Sequence, residues 1–201
     1  IASGGYHNFT KNDPLLQDRL YINDSKGNFT KSNKLPKIYY NSKAIAIADY
    51  DGDGDIDIFI GCSVKHGKYP LSYPSYLLEN QGGKFVEVTS KVINDISELK
   101  MVNDAIFSDY DNDGDMDIIT VGEWMPVTLF ENNNHNFIKK DFDALKNSDG
   151  WYQSITEFDK NNDGIKDYVL GNWGDNNKFH PSPEKPLHIY ADYFDDNNSF
   201  D

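Results

Sequence analysis

The chain has 201 residues, enough for one good core or two small ones, with 19 Lys and Arg against 33 Asp and Glu and a formal charge of −14. The acidic balance and the lack of any basic stripe exclude a phosphate-neutralising nucleic-acid surface, and no run reaches the ~18 apolar residues that would insert into a membrane. Cys62 is the only cysteine, which excludes an intrachain disulfide; it is expected as a small buried residue after a strand.

In chain order, the first clear element is Leu20-Tyr21-Ile22-Asn23-Asp24-Ser25-Lys26-Gly27-Asn28-Phe29-Thr30, an apolar run, an Asn/Gly turn and a run opening on phenylalanine. That pattern predicts a hairpin, and it recurs at Leu77 to Val86 and at Leu129 to Ile138. Ala44-Ile45-Ala46-Ile47-Ala48 and Asn103-Asp104-Ala105-Ile106-Phe107 read as short strands, each running into an acidic nonapeptide. The nonapeptides are Asp49-Tyr50-Asp51-Gly52-Asp53-Gly54-Asp55-Ile56-Asp57, Asp109-Tyr110-Asp111-Asn112-Asp113-Gly114-Asp115-Met116-Asp117 and Asp159-Lys160-Asn161-Asn162-Asp163-Gly164-Ile165-Lys166-Asp167. After each comes a β-branched or aromatic run ending at Gly61, Gly122 or Gly171, which predicts a strand.

The nonapeptides share oxygen side chains at positions 1, 3, 5 and 9 and glycine at position 6. A hard cation such as calcium takes six to eight oxygens, and side chains at those positions with a carbonyl at position 7 can wrap one. Glycine at position 6 supplies the sharp turn. An EF-hand has the same opening but needs a bidentate glutamate at position 12, where this chain has Ile60, Thr120 and Leu170. The loops hold 13 aspartates, so without them the formal charge would be only −1. The acidity therefore belongs to the candidate metal sites rather than to a generally acidic surface.

Loop starts 60 and 50 residues apart, with no helical interval, suit four-stranded propeller blades and not βαβ units. The loops, the Leu-Tyr-x-Asn hairpin and the glycine-ended strands together resemble FG-GAP or VCBS repeats, the calcium-bearing blades of integrin-α-like β-propellers and of many large bacterial secreted or surface proteins. The resemblance implies an all-β fold of four-stranded antiparallel blades, about three full ones and a partial one. The repeat units are expected at roughly 1–57, 58–117, 118–167 and 168–201 of a single propeller segment. It further implies side-chain ligands at Asp49, Asp51, Asp53 and Asp57; at Asp109, Asp111, Asp113 and Asp117; and at Asp159, Asn161, Asp163 and Asp167. Carbonyls would come from Asp55, Asp115 and Ile165. The final residues align as a degenerate fourth site, with Asp195, Asn197, Ser199 and Asp201 at positions 3, 5, 7 and 9 but Asn198 in place of the glycine. Both ends fall beside a calcium loop, which leads us to expect a segment of a longer chain.

The histidines sit in no catalytic signature: there is no Gly-x-Ser-x-Gly elbow and no His-Glu-x-x-His. Binding is the expected role, with an extracellular protein or glycan as ligand and a location outside the cell, on its surface or in a periplasm. Tyr69, Tyr73 and Tyr76 lie in an aromatic, proline-rich connection, and Trp151 and Trp173 fall in or near others. Exposed on one face, these five rings would make a platform for sugars or a protein partner; packed between blades, they would only fill gaps. The alternative expectation is an accessory or catalytic domain of a polysaccharide-active enzyme, signalled by a cleft of clustered Tyr, His and Trp.

Overall fold

In a computed structural model, which describes residues 1–5, 9–174, 176–182, 184–195 and 200–201, the chain is built almost entirely of antiparallel strands. Strands β1 (Leu20–Asn23) and β2 (Phe29–Ser32) form a free-standing hairpin. Strands β3 (Ser42–Ala48), β4 (Asp57–Cys62), β5 (Tyr76–Asn80) and β6 (Phe85–Glu87) pair in sequence order as one four-stranded blade. A single-turn helix α1 (Thr89–Val92) leads to a second blade of β7 (Met101–Ser108), β8 (Asp117–Met125), β9 (Thr128–Asn133) and β10 (Asn136–Lys140). Strands β11 (Gly150–Phe158) and β12 (Asp167–Asn172) repeat the inner pair, and β11 joins the second blade through Gly150 opposite Met125 and Trp151 opposite Glu123.

Alternation sorts the side chains of each strand between two blade faces. From β3, Ala44 and Ala46 turn toward the second blade and meet Val102, Ala105 and Ile118, with Phe59, Leu77, Phe130 and Phe137 closing the same core. On the other face of the first blade, Ile60, Cys62, Tyr76 and Leu78 pack against Leu35, Ile38 and Phe85. Ile119, Val121 and Leu129 of the second blade meet Ile155, Tyr168 and Leu170 of β11 and β12. The order is therefore hairpin, blade, blade, inner pair, with an apolar layer in each gap. Cys62 is fully buried at the end of β4.

The strand-ending glycines have a shared cause. Each inner pair slips register near its end, between Ser42 and Ala44, Val102 and Asp104, and Tyr152 and Ser154, so that one residue bulges opposite the glycine. A Cβ on Gly122 would lie 2.0 Å from the Met101 carbonyl oxygen. Two of the bulged residues reach the neighbouring blade: Lys43 Nζ donates to Asn103 Oδ1 at 2.6 Å, and Asn103 Nδ2 donates to the Tyr152 carbonyl at 2.7 Å. The bulge re-aims a polar side chain along the stack and ties consecutive blades.

Candidate metal loops and aromatic cavity

Every nonapeptide joins the two inner strands of its unit, and all three fold on one frame. The position-1 carboxylate takes the N–H groups of positions 5 and 6: Asp49 from Asp53 and Gly54 at 3.1 and 2.9 Å, Asp109 from Asp113 and Gly114 at 3.0 and 3.2 Å, Asp159 from Asp163 and Gly164 at 3.2 and 2.8 Å. The position-5 carboxylates of Asp53, Asp113 and Asp163 accept the N–H of Asp55, Asp115 and Ile165 at 2.8 to 2.9 Å. Gly54, Gly114 and Gly164 have φ of 92°, 97° and 85°, so the glycine at position 6 is required by backbone conformation. Position 4 is left-handed as well, at Gly52, Asn112 and Asn162 with φ of 72°, 59° and 59°. Its recurrence as Gly or Asn was the available sequence signal for that turn.

Oxygen atoms of Asp49, Asp51 and Asp57 converge within 4.8 Å of one another, as do those of Asp109, Asp111 and Asp117. Hard carboxylate oxygens at that spacing match the chemistry of a hard divalent ion, and either cluster can hold one. Asp53 and Asp113 stand exposed beside these clusters, and Asp55 and Asp115 contribute backbone at position 7. In the third loop Asn161 Nδ2 donates to Asp163 Oδ2 at 2.8 Å, the position-3 side chain thus bonding the position-5 carboxylate; Ile165, at position 7, is exposed.

The position-9 aspartates of the first two loops differ from the other loop acids in being buried: Asp57 is 1% exposed and Asp117 is fully buried, whereas Asp167 is only partly so. Asp57 Oδ2 accepts the Tyr50 N–H at 3.2 Å and its Oδ1 the Asn80 N–H at 2.8 Å; Asp117 does the same with Tyr110 at 3.1 Å and Asn132 at 2.8 Å. Each therefore staples its loop to the outer hairpin of its own blade. Burial pushes both carboxyls up to about 6, helped by the other loop acids and opposed by the N–H bonds. Asp51 is raised in the same direction, again chiefly by burial. Asp159 is held below the usual carboxylate range, first by its bond from the Gly164 N–H.

The hairpins contribute contacts that loop spacing alone does not reveal. Tyr50 Oη donates to Glu79 at 3.3 Å and Tyr110 Oη to Glu131 at 2.7 Å. Asn132 Nδ2 donates across the blade gap to the Tyr50 carbonyl at 2.8 Å, so the first loop is also tied to the second blade. Of the degenerate fourth site, Asn197 and Ser199 lie outside the described residues; Asp195 and Asp201 are exposed, and the Asp201 main chain pairs with Asp192 at 3.0 Å in both directions.

The aromatic residues fall into two groups rather than one platform. Tyr76, expected on an exposed face, lies instead in the core of the first blade at 5% exposure, because its position on β5 points inward and its hydroxyl donates to Asp18 at 2.7 Å. Tyr73 stacks on Tyr40 at 4.8 Å beside it. The second group gathers all three tryptophans. Trp151, at the start of β11 and not in a connection, meets Trp124 edge-on at 5.5 Å, Trp173 at 5.8 Å and Phe179 at 6.2 Å. Tyr69 joins them by accepting the Trp124 Nε1–H. Trp124 has φ of 60°, an uncommon backbone for a bulky residue, and Trp173 is half exposed. Beside this ladder is a cavity of about 520 Å³ lined by Trp124, Trp151, Asn147, Asp149, Asn172 and His188, among others.

Among the described residues no helix is long and apolar enough to cross a membrane. A family model described as an FG-GAP-like repeat matches residues 4–60 and 109–170, more than half of the chain. No curated protein matches the sequence. The matched stretches contain all three acidic loops, each set between antiparallel inner strands, and on that ground the chain belongs to the FG-GAP-like repeat family, whose repeats build β-propeller-type scaffolds.

Proposed function

We propose that the chain is a calcium-binding, propeller-type scaffold that works outside the cytoplasm and binds a glycan at its tryptophan cavity. Calcium is the favoured ion because the loops offer only hard oxygen donors. When bound, it supplies the positive charge that lets crowded, partly buried carboxylates ionise together. Asp49, Asp51, Asp53 and Asp57 would hold the first ion, Asp109, Asp111, Asp113 and Asp117 the second, and Asp159, Asn161, Asp163 and Asp167 the third.

The observation carrying the glycan reading is the edge-on ladder of Trp124, Trp151 and Trp173, brought from separate strand ends, in which Trp124 and Trp151 line one cavity that also presents Asp149, Asn147 and Asn172. Aromatic faces receive the C–H faces of a sugar ring, while carboxylate and amide groups pair with its hydroxyls. The cavity's volume is within the range of small-ligand sites. His188 and Asp149 line the same cavity, which is the specific observation favouring a polysaccharide-active enzyme as the second reading. Among the described residues that line it no nucleophile and base are in mutual contact, and binding without turnover is the reading we adopt.

A glycan array read with calcium, with chelator and with Trp151→Ala tests this. Binding to defined oligosaccharides that Trp151→Ala abolishes, without product release from the hits, supports it. Retention of every hit by Trp151→Ala contradicts the site, and turnover of a hit replaces binding by catalysis.

A further inference from the structure

The outer hairpin of each complete blade sets an Asn opposite a Phe, Asn80 facing Phe85 and Asn132 facing Phe137. The main-chain N–H of each Asn goes to the position-9 carboxylate of its own loop. The side-chain amides repeat as well, donating to the position-8 carbonyl of the same loop: Asn80 Nδ2 to Ile56 at 3.2 Å and Asn132 Nδ2 to Met116 at 3.3 Å. Asn132 makes one bond more, for its Nδ2 also donates at 2.8 Å to the carbonyl of Tyr50, inside the first loop. Both acceptors are carbonyls, so an NH2 group is needed to serve them together, and a carboxylate of the same shape has no donor to offer. The Asn132 side chain is held by that NH2 group; its Oδ1 is buried without a partner among the described residues.

Tyr50 is gripped from several sides. Its ring is buried in the core between the blades, 5.4 Å from Phe137, and its hydroxyl donates to Glu79. It stands between Asp49 and Asp51, whose carboxylates converge with that of Asp57. One cross-strand pair of the second blade, Asn132 and Phe137, therefore holds the main chain and the side chain of a residue in the first loop. A relay of hydrogen bonds results. Asp57 Oδ2 accepts the Tyr50 N–H, the Tyr50 carbonyl accepts from Asn132, and Asn132 donates its own N–H to Asp117 Oδ1. The two ends of the relay are the buried carboxylates of two different acidic clusters.

We propose that Asn132 is a positioning residue shared by the first two loops, through which calcium in either loop raises the affinity of the other. Without an ion the carboxylates of each cluster repel one another, and the loop has to be drawn into one arrangement to receive it. Ordering the first loop fixes Tyr50, which fixes the Asn132 amide and with it the strand position from which the Asn132 N–H reaches Asp117. The second loop then has less conformational freedom left to lose when it fills, and by linkage the effect is reciprocal. Direct repulsion between two bound cations would have the opposite sign, so the sign of the coupling separates the relay from through-space electrostatics. This inference rests on the calcium reading of the loops and is independent of the glycan reading.

A calcium titration followed by nuclear magnetic resonance tests it, because the amides of Gly54 and Gly114, at position 6 of the two loops, report each site separately. Asp53→Ala and Asp113→Ala each disable one loop through an exposed side chain and leave Asn132 in place. Asp53→Ala is expected to weaken binding read at Gly114 by about fivefold or more, and Asp113→Ala to weaken binding read at Gly54 by the same factor. Asn132→Leu keeps the main-chain bond to Asp117 but not the bonds to the two carbonyls; Asn132→Ala serves if the larger side chain is not accepted, with far-UV circular dichroism in calcium as the check on folding. In that background each factor should fall to about one, a change that a general loss of stability would not produce. Saturable responses at Gly54 and Gly114 whose affinities ignore the state of the other loop would overturn the proposal and leave the calcium reading standing. Coupling of undiminished size in the folded Asn132 variant would overturn the role of Asn132, and resonances that do not respond to calcium would remove the calcium reading and the proposal together.

Discussion

Single carboxylates in the loops do two separable jobs. Asp117 is buried and holds two backbone N–H groups, whereas Asp113 is exposed and bonds only within its loop. Leaving a buried donor unpaired costs about 1–3 kcal/mol, so Asp117→Ala should destabilise the chain by roughly 2–4 kcal/mol even in chelator. Asp113→Ala should cost little in chelator and lose only stabilisation that calcium supplies. Denaturant melts of both variants with and without calcium separate the roles; equal losses in chelator would contradict the division. The same burial sets a pH dependence. With Asp57 and Asp117 raised to about 6 from 3.8, the folded chelated chain binds their protons more tightly than the unfolded chain does. Their contribution is present at low pH and lost as pH rises from about 4 to about 6. Stabilisation by calcium needs the ionised form and should grow over the same window. Melting midpoints across that range, with and without chelator, check this; a difference that does not change with pH would count against it.

At the scale of elements, much was legible because turn chemistry and alternation agreed. The three hairpins, the strands flanking the first two loops and the glycine at position 6 all stand where residue pattern puts them. Strand β11 carries no clear strand signal, since Gly150-Trp151-Tyr152-Gln153-Ser154 mixes polar, aromatic and glycine residues and reads as a connection. Its pairing with both β8 and β12 overrides weak local preference. The bulges were invisible for a different reason: one slipped residue leaves the composition of a strand unchanged and declares itself only through the glycine opposite. That role has a consequence. Ala at Gly122 meets the Met101 backbone at 2.0 Å, whereas Ala at Gly171 meets the Ser154 hydroxyl at 2.6 Å, a side chain able to rotate away. Gly122→Ala should therefore cost about 1–3 kcal/mol or more and Gly171→Ala clearly less, as chemical denaturation would show. Equal effects would mean the bulges relax freely.

Over the whole molecule, loops and blades form one mechanical system. Each position-9 aspartate in the two complete blades joins a loop to its outer hairpin, Asn132 joins the second blade to the first loop, and Lys43 and Asn103 link inner strands across the stack. The aromatic site is only half legible from sequence: Trp151 and Trp173 stand out as ring-bearing positions in or near connections, but their meeting with Trp124 depends on packing between separate strand ends, and the inward place of Tyr76 follows from the phase of β5. If the loops bind calcium with Kd of about 10⁻⁴ to 10⁻³ M, then ~2 mM calcium adds on the order of 0.6 to 1.8 kcal/mol per site. Three sites would add roughly 2 to 5 kcal/mol, which at about 2–4 °C per kcal/mol for a chain of this size is a readily measured shift. The direct test is a calcium titration by calorimetry beside melting curves in calcium and in chelator. The account predicts three ions per chain, the loop of Asp159 filling last, and a midpoint raised by several degrees; fewer than two ions per chain or an unchanged midpoint would contradict it.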